Sequence, residues 1–166
     1  MLEKTMSFKH GISENGELQV FVITTILKDG KYFDTKTDKP YSPKDINNMD
    51  GFDDRSKDIV EAINIEDVKT TFQTEKQTAI GKGLEEIVSY DRVVEESGAI
   101  AIRQVTRIFE DGKEISKKYH RSWINPGNDP SEKDVLSKAV AEKLHTQEVI
   151  SAFEAKQTEN ITLEEK

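Results

Sequence analysis

The chain has 166 residues, 34% of them hydrophobic and 34% charged, with a formal net charge of −8 and no cysteine. That length suits one ordinary domain or two very small ones. The missing cysteines exclude disulfides and thiolate metal sites, and the acidic balance argues against nucleic acid and anionic membranes as partners. No apolar run approaches a membrane span, and "MLEKTMSFKH" carries no signal-peptide core, so a reducing cytoplasm or a particle assembled there is the expected setting.

In chain order, a first strand is expected over about Glu3–Ile12, closed by the polar turn "SENG". A second strand, "ELQVFVITTIL", follows; its β-branched content favours strand over helix. The dipeptide Asp29-Gly30 closes a two-residue hairpin, where glycine supplies a positive φ, and "YFDTKTD" forms the third strand. Ser42 and Pro43 offer a weak helix start, and helices are expected over Ser56–Ile63 and Glu66–Gln73. After the linker "TEKQTAIGKG", the same succession returns. There is a strand over Glu85–Val94, the turn "EESG", the strand "AIAIRQVTRIF", the turn Asp111-Gly112 and the strand "EISKKYHRSW". Asp129 as N-cap and Pro130 at the first helical position predict a helix over Pro130–Leu144, with another over Gln147–Ala155. The tail "KQTENITLEEK" is polar and expected to be disordered.

The recurrence extends to individual residues. At an offset of 82, Ser7 meets Ser89, Phe8 meets Tyr90, Gly16 meets Gly98, and Asp29-Gly30-Lys31 meets Asp111-Gly112-Lys113. At 81, Ser56-Lys57 meets Ser137-Lys138, Val68 meets Val149 and Phe72 meets Phe153. These matches predict an α+β chain of two tandem pseudo-symmetric units, each a three-stranded antiparallel meander followed by one or two helices. The units are residues 1–75 and 85–156, with a linker at 76–84 and a disordered acidic tail at 157–166. The second strand of the first unit is apolar on both faces, with Leu18, Val20 and Val22 one way and Phe21 and Ile23 the other. One face is expected to take the unit's own helices and the other a sister unit or another molecule.

Motifs that carry chemistry are not found. His10, His120 and His145 lack metal-ligand spacing, and no HExxH, GxSxG, Walker or GxGxxG pattern occurs. The loop "INNMDGFDDRSK" places Asn48 and Asp50 at inner EF-hand positions but Ile46 and Lys57 at the outer ones, so it is not a calcium loop of that kind. Asp53-Asp54 and Glu95-Glu96 read as solvated turns rather than acid/base pairs. No catalytic, cofactor or metal residue is assigned, and the chain is expected not to be an enzyme. What remains is the cluster Tyr119, His120, Arg121 and Trp123. Alternation puts Tyr119, Arg121 and Trp123 on one strand face and His120 on the other. Arginine between aromatics is common at protein interfaces. With Tyr41, the first unit's counterpart of Trp123, and with Arg103 and Arg107, these residues form a candidate protein-contact patch. The bland alternative is that Trp123 and Tyr119 cover the edge of the core.

The run "VTRIFEDGKEISKKYHRSWINPGNDPS", followed by a helix and "TQEVISAF", resembles small proteins of tailed bacteriophages with an EDG turn, a YHR stretch, a Pro-Gly loop and a helical end. The resemblance covers about residues 85–156; the first unit shares the DGK turn and helix spacing and departs at the YHR position. It brings no catalytic residues. It implies a phage virion structural or accessory protein, tail- or capsid-associated, in contact with other phage proteins or with itself, in the virion or in the host cytoplasm during infection. The alternative is a small acidic binding protein that inhibits or sequesters a host factor. Neither nucleic acid nor membrane is expected as a partner, and no cofactor.

Overall fold

The computed structural model describes residues 1–38, 49, 52–76 and 83–164. Tyr41, the Ser42-Pro43 helix start, Asn48, Asp50 and Gly51 of the Asx-rich loop, linker residues 77–82 and tail residues 165–166 lie outside the described residues. The fold is α+β: one six-stranded antiparallel sheet and four helices among the described residues. The strands are β1 (Leu2–Ile12), β2 (Leu18–Lys28), β3 (Lys31–Thr37), β4 (Leu84–Val94), β5 (Ile100–Glu110) and β6 (Lys113–Ile124). The helices are α1 (Asp54–Ile63), α2 (Glu66–Lys76), α3 (Val135–Leu144) and α4 (Gln147–Glu164).

The strand order is β3-β2-β1-β4-β5-β6. β1 pairs with β2 along the whole of both strands, from Leu2↔Lys28 to Ile12↔Leu18, as β4 does with β5, from Leu84↔Glu110 to Val94↔Ile100. The join between β1 and β4 is short, only His10↔Val94, Gly11↔Val93 and Ile12↔Arg92. These are the last residues of both strands. Because the pairing is antiparallel, the rest of β1 and the rest of β4 run away from the join on opposite sides. An eleven-residue strand is about 36 Å long, so most of each hairpin lies beyond the join. Asp29 and Asp111, at the hairpin tips, have φ of 51° and 49°, each followed by a glycine with positive φ. This is the paired left-handed backbone of a type I′ turn.

Hydrophobic burial concentrates at the join. Ile12, Leu18, Val20, Val94, Ile100, Ile102 and Ile124 form the sheet side of the core. Ile59, Val60 and Ala62 of α1 and Val140, Ala141 and Leu144 of α3 form the helix side. All seven sheet residues are even-numbered and share one face by register. Each such aliphatic side chain stabilises the fold by about 1.5–3 kcal/mol on full burial. A smaller cluster of Val68, Leu136 and Ala139, with Phe72 beside it, holds α2 against α3.

The expectation that one face takes helices holds at this join. The halves of the sheet meet edge to edge through β1 and β4, so the other face of β2 does not receive the second set of strands. Two helix boundaries also differ from the sequence reading. α3 starts at Val135, not Pro130, because Asp134 is its N-cap and accepts from the Ser137 N–H. Asp129 instead closes a separate turn by accepting from the Ser131 N–H and hydroxyl. α4 runs to Glu164, through most of the stretch read as a disordered tail. From Gln147 that segment contains neither proline nor glycine, and alanine, glutamate, lysine and glutamine sustain it.

Candidate functional site

The alternation on β6 places Tyr119, Arg121 and Trp123 on the face turned away from the helices. In register, Ala101 stands across from Trp123, Arg103 from Arg121, Val105 from Tyr119 and Arg107 from Lys117. Five of the expected contact residues therefore gather on one surface: Arg103, Arg107, Tyr119, Arg121 and Trp123. His120 does not join them; it pairs with Gln104 and points to the opposite face. Tyr119 and Trp123 are 58% and 54% exposed, so neither is the core cover that the bland reading supposes.

The three arginines differ in what satisfies them. Arg103 is bound to the carboxylate of Asp91 through both Nε and Nη2 and lies 5.7 Å from the centre of the Tyr119 ring. Arg107 donates to Glu14 at 2.9 Å and to the Ser89 hydroxyl at 2.7 Å, and sits 3.5 Å from Glu114. Ser89 donates in turn to Glu14. The Arg107 hydrogen bond holds the Glu14 carboxyl below the usual range, against a smaller opposing effect of burial. Glu14 belongs to the β1–β2 turn, so this cluster ties the first hairpin to the sheet's other half. Arg121 has no ion pair or hydrogen bond among the described residues. Lys117 rests 5.4 Å over the Tyr119 ring.

Beside Arg121 the sheet has a valley. Asp91, Val93, Ala101, Arg103, Arg121 and Trp123 line a cavity of about 310 Å³, mostly apolar in its walls. Ala101 is why it exists: a large residue between Val93 and Trp123 would fill it. Sequence alternation places the Arg and Trp but not the hollow, because the hollow depends on which residue of β5 falls opposite Trp123.

Two buried polar clusters were also missed. His10 is 1% exposed, and its Nε2 lies 2.8 Å from the Ser56 hydroxyl and 3.2 Å from Asp53. Asp53 is the N-cap of α1; its carboxylate also accepts from the Ser56 N–H and hydroxyl. Burial pushes the Asp53 carboxyl up, but the hydrogen bonds from His10 and Ser56 outweigh it and hold the group at about 2. In the second cluster Arg92, 2% exposed, reaches the Asp134 carboxylate, the Ser137 hydroxyl at 2.7 Å and the Tyr90 carbonyl at 3.0 Å. Asp134 caps α3 as Asp53 caps α1.

The composition Ser, His and Asp invites comparison with a nucleophilic triad, and the geometry rejects it. A working triad sets the carboxylate on one imidazole nitrogen and the hydroxyl on the other. Here both lie on Nε2, while the buried Nδ1 has no hydrogen-bond partner among the described residues. Ser56 is fully buried and already engaged with Asp53. These are joints between strand and helix. The D-x-x-S pattern at both helix starts, Asp53 to Ser56 and Asp134 to Ser137, was the available signal.

Among the described residues no three histidines or carboxylates gather as a metal site, and no helix is long and apolar enough to cross a membrane. Compared with protein-family models, curated proteins and solved structures, the chain finds no match.

Proposed function

We propose that this chain is a duplicated, non-enzymatic contact protein, a structural or accessory component of a phage particle, acting through the open sheet surface around Trp123. The duplication draws support from backbone detail. The register shifts fall at Ile26/Leu27 and at Ile108/Phe109, which are 82 residues apart. The bond from the Asp29 N–H to the Met1 carbonyl recurs from Asp111 to Gly83, and that from Ser13 to Glu17 recurs from Glu95 to Ala99. The His10 and Arg92 clusters occupy corresponding places, each joining a strand end to a D-x-x-S helix start. On this reading residues 1–75 and 85–156 are two tandem meander-and-helix units related about the β1–β4 join.

One observation carries the functional reading. The compact polar clusters are closed joints, whereas the face around Trp123 has exposed aromatics, an arginine with no side-chain partner among the described residues and an apolar hollow. Such a surface is suited to holding another protein. The phage setting rests on the resemblance over residues 85–156. Mass spectrometry of particles purified from an infected culture tests it: the chain is expected as a stoichiometric component. If particles contain none of it, the virion reading is wrong.

A further inference from the structure

The valley beside Trp123 has a chemistry of its own. Gly11, Val93, Ala101 and Trp123 stand directly across from one another on β1, β4, β5 and β6, making a row of small residues that ends on an indole. The next row is Asp91, Arg103 and Arg121. In that row the Asp91 charge is already matched by Arg103, so the Arg121 charge at the rim is left over. The cavity of about 310 Å³ is at the small end of ligand sites. It has room for a side chain or two.

We infer that this valley docks an acidic peptide segment of a partner protein, seating one bulky apolar side chain against Trp123 and Ala101 with a carboxylate on Arg121. The inference rests on the contact-protein reading and names the partner's chemistry. Charge complementarity decides between occupants. A basic segment would place its charge against Arg121. A neutral apolar segment would cover Arg121 without compensating it, and a buried unpaired charge is costly. A carboxylate there accepts charge-assisted hydrogen bonds, which the arginine guanidinium can donate in a two-pronged geometry. The partner's apolar side chain supplies the rest by displacing water from Trp123, as aromatic anchors do at interface centres.

Trp123 is the chain's single tryptophan, so its fluorescence reports on the valley directly. The full chain is titrated with a short synthetic peptide carrying one Phe flanked by Asp and Glu. Control peptides have the acids replaced by Lys, or the Phe by Ala, and N-acetyl-phenylalanine serves as the free small acid. The acidic Phe peptide is expected to shift the emission saturably and each control peptide to bind at least about tenfold more weakly. Arg121→Glu is expected to weaken the acidic peptide by at least about tenfold. Ala101→Leu, which fills the valley and leaves Arg121 in place, is expected to abolish the shift. Circular dichroism melts check that both variants fold; if either does not, Arg121→Gln and Ala101→Val take its place. No saturable shift with the acidic peptide, equal binding of acidic and basic peptides, or a free small acid binding as tightly as the peptide would each overturn the inference. A chain present in particles but indifferent to these peptides loses this site and keeps its virion role. A chain that binds them but is missing from particles does the reverse.

Discussion

Replacing Arg92 with methionine tests whether the strand-to-helix joints hold the fold. The methionine keeps much of the side-chain volume and removes the charge. Three contacts disappear, to the Asp134 carboxylate, the Ser137 hydroxyl and the Tyr90 carbonyl. Asp134 then loses its cationic partner while its side chain is 5% exposed, unable to recover the water it gave up on folding. Breaking one side of a buried pair costs about 3–5 kcal/mol, against a total stability of about 5–15 kcal/mol for a domain. With a urea dependence of about 2 kcal/mol per molar, the unfolding midpoint should fall by about 1.5–2.5 M. The companion double variant adds Asp134→Asn. Asparagine still caps α3 but carries no charge, so the double variant should recover at least about 1 kcal/mol over Arg92→Met alone. Urea unfolding followed by circular dichroism measures all three proteins. A loss below about 1 kcal/mol for Arg92→Met, or a double variant no better than the single one, would show that the Arg92–Asp134 joint does not hold the fold.

Acid should weaken the fold in two steps. Burial lowers the His145 pKa from 6.5, against a bond from its Nε2 to the Gly98 carbonyl, so the fold prefers neutral His145; this stability is complete above pH 6.5 and fades as the pH drops below it. Asp53, held at about 2 against an ordinary 3.8, contributes on the order of 1 kcal/mol after allowance for its partial exposure; that share is present above about pH 4 and lost as the pH falls through about 2. Urea midpoints measured across this range should therefore fall in two stages, and Asp53→Asn should shrink the second, leaving the share of Glu14, whose carboxyl is also held low. Gly98→Ala should cost about 1–3 kcal/mol, because φ is +87° and the new Cβ would lie 2.6 Å from Val149. Gly30→Ala, with φ of +73° and nothing within 4 Å, should cost only about 1 kcal/mol; thermal melts of both compare strain with collision. Trp123→Ala should cost less than about 1 kcal/mol in urea, whereas Ile100→Ala, fully buried, should cost about 2–5 kcal/mol; a large loss at Trp123 would restore its structural role.

Local rules made the strands readable. β-branched runs between Asp-Gly turns gave six strands close to their true limits, and two-residue alternation put Tyr119, Arg121 and Trp123 together and His120 apart. Interactions distant in sequence were not readable. Nothing in the first strand announces that its last three residues pair with β4, since that pairing depends on both hairpins having formed. The same holds for the partners of the arginines. Arg103 finds Asp91 only once β5 lies on β4 in one register, and Arg107 finds Glu14 only once β1 has also joined β4; this separates the satisfied arginines from Arg121. The start of α3 moved for a related reason. Asp129-Pro130 is a good local cap, but Asp134 is the carboxylate that Arg92 can reach from the sheet.

The position of the buried clusters explains how a join of three residue pairs can hold so long a sheet together. His10 and Arg92 both lie within that join, in the residues that pair β1 with β4. Each sends its polar end to the first turn of a helix, His10 to α1 and Arg92 to α3, and the two helices pack on each other with Lys143 bridging to Glu61 at 2.7 Å. Apolar contacts alone would let a helix slide along the sheet at modest cost, because dispersion and burial are weakly directional. A carboxylate that caps the helix and also meets a buried cation or imidazole has one position that satisfies every group. The joints therefore set where each helix sits, and the helices fix the angle at which the two hairpins leave the join. Fixing that angle places the valley at Trp123, whose floor runs from Val93 on β4 to Ala101 on β5, beside the join. Loosening Arg92 should then impair docking at Trp123 even though Arg92 faces the helices and touches no occupant of the valley.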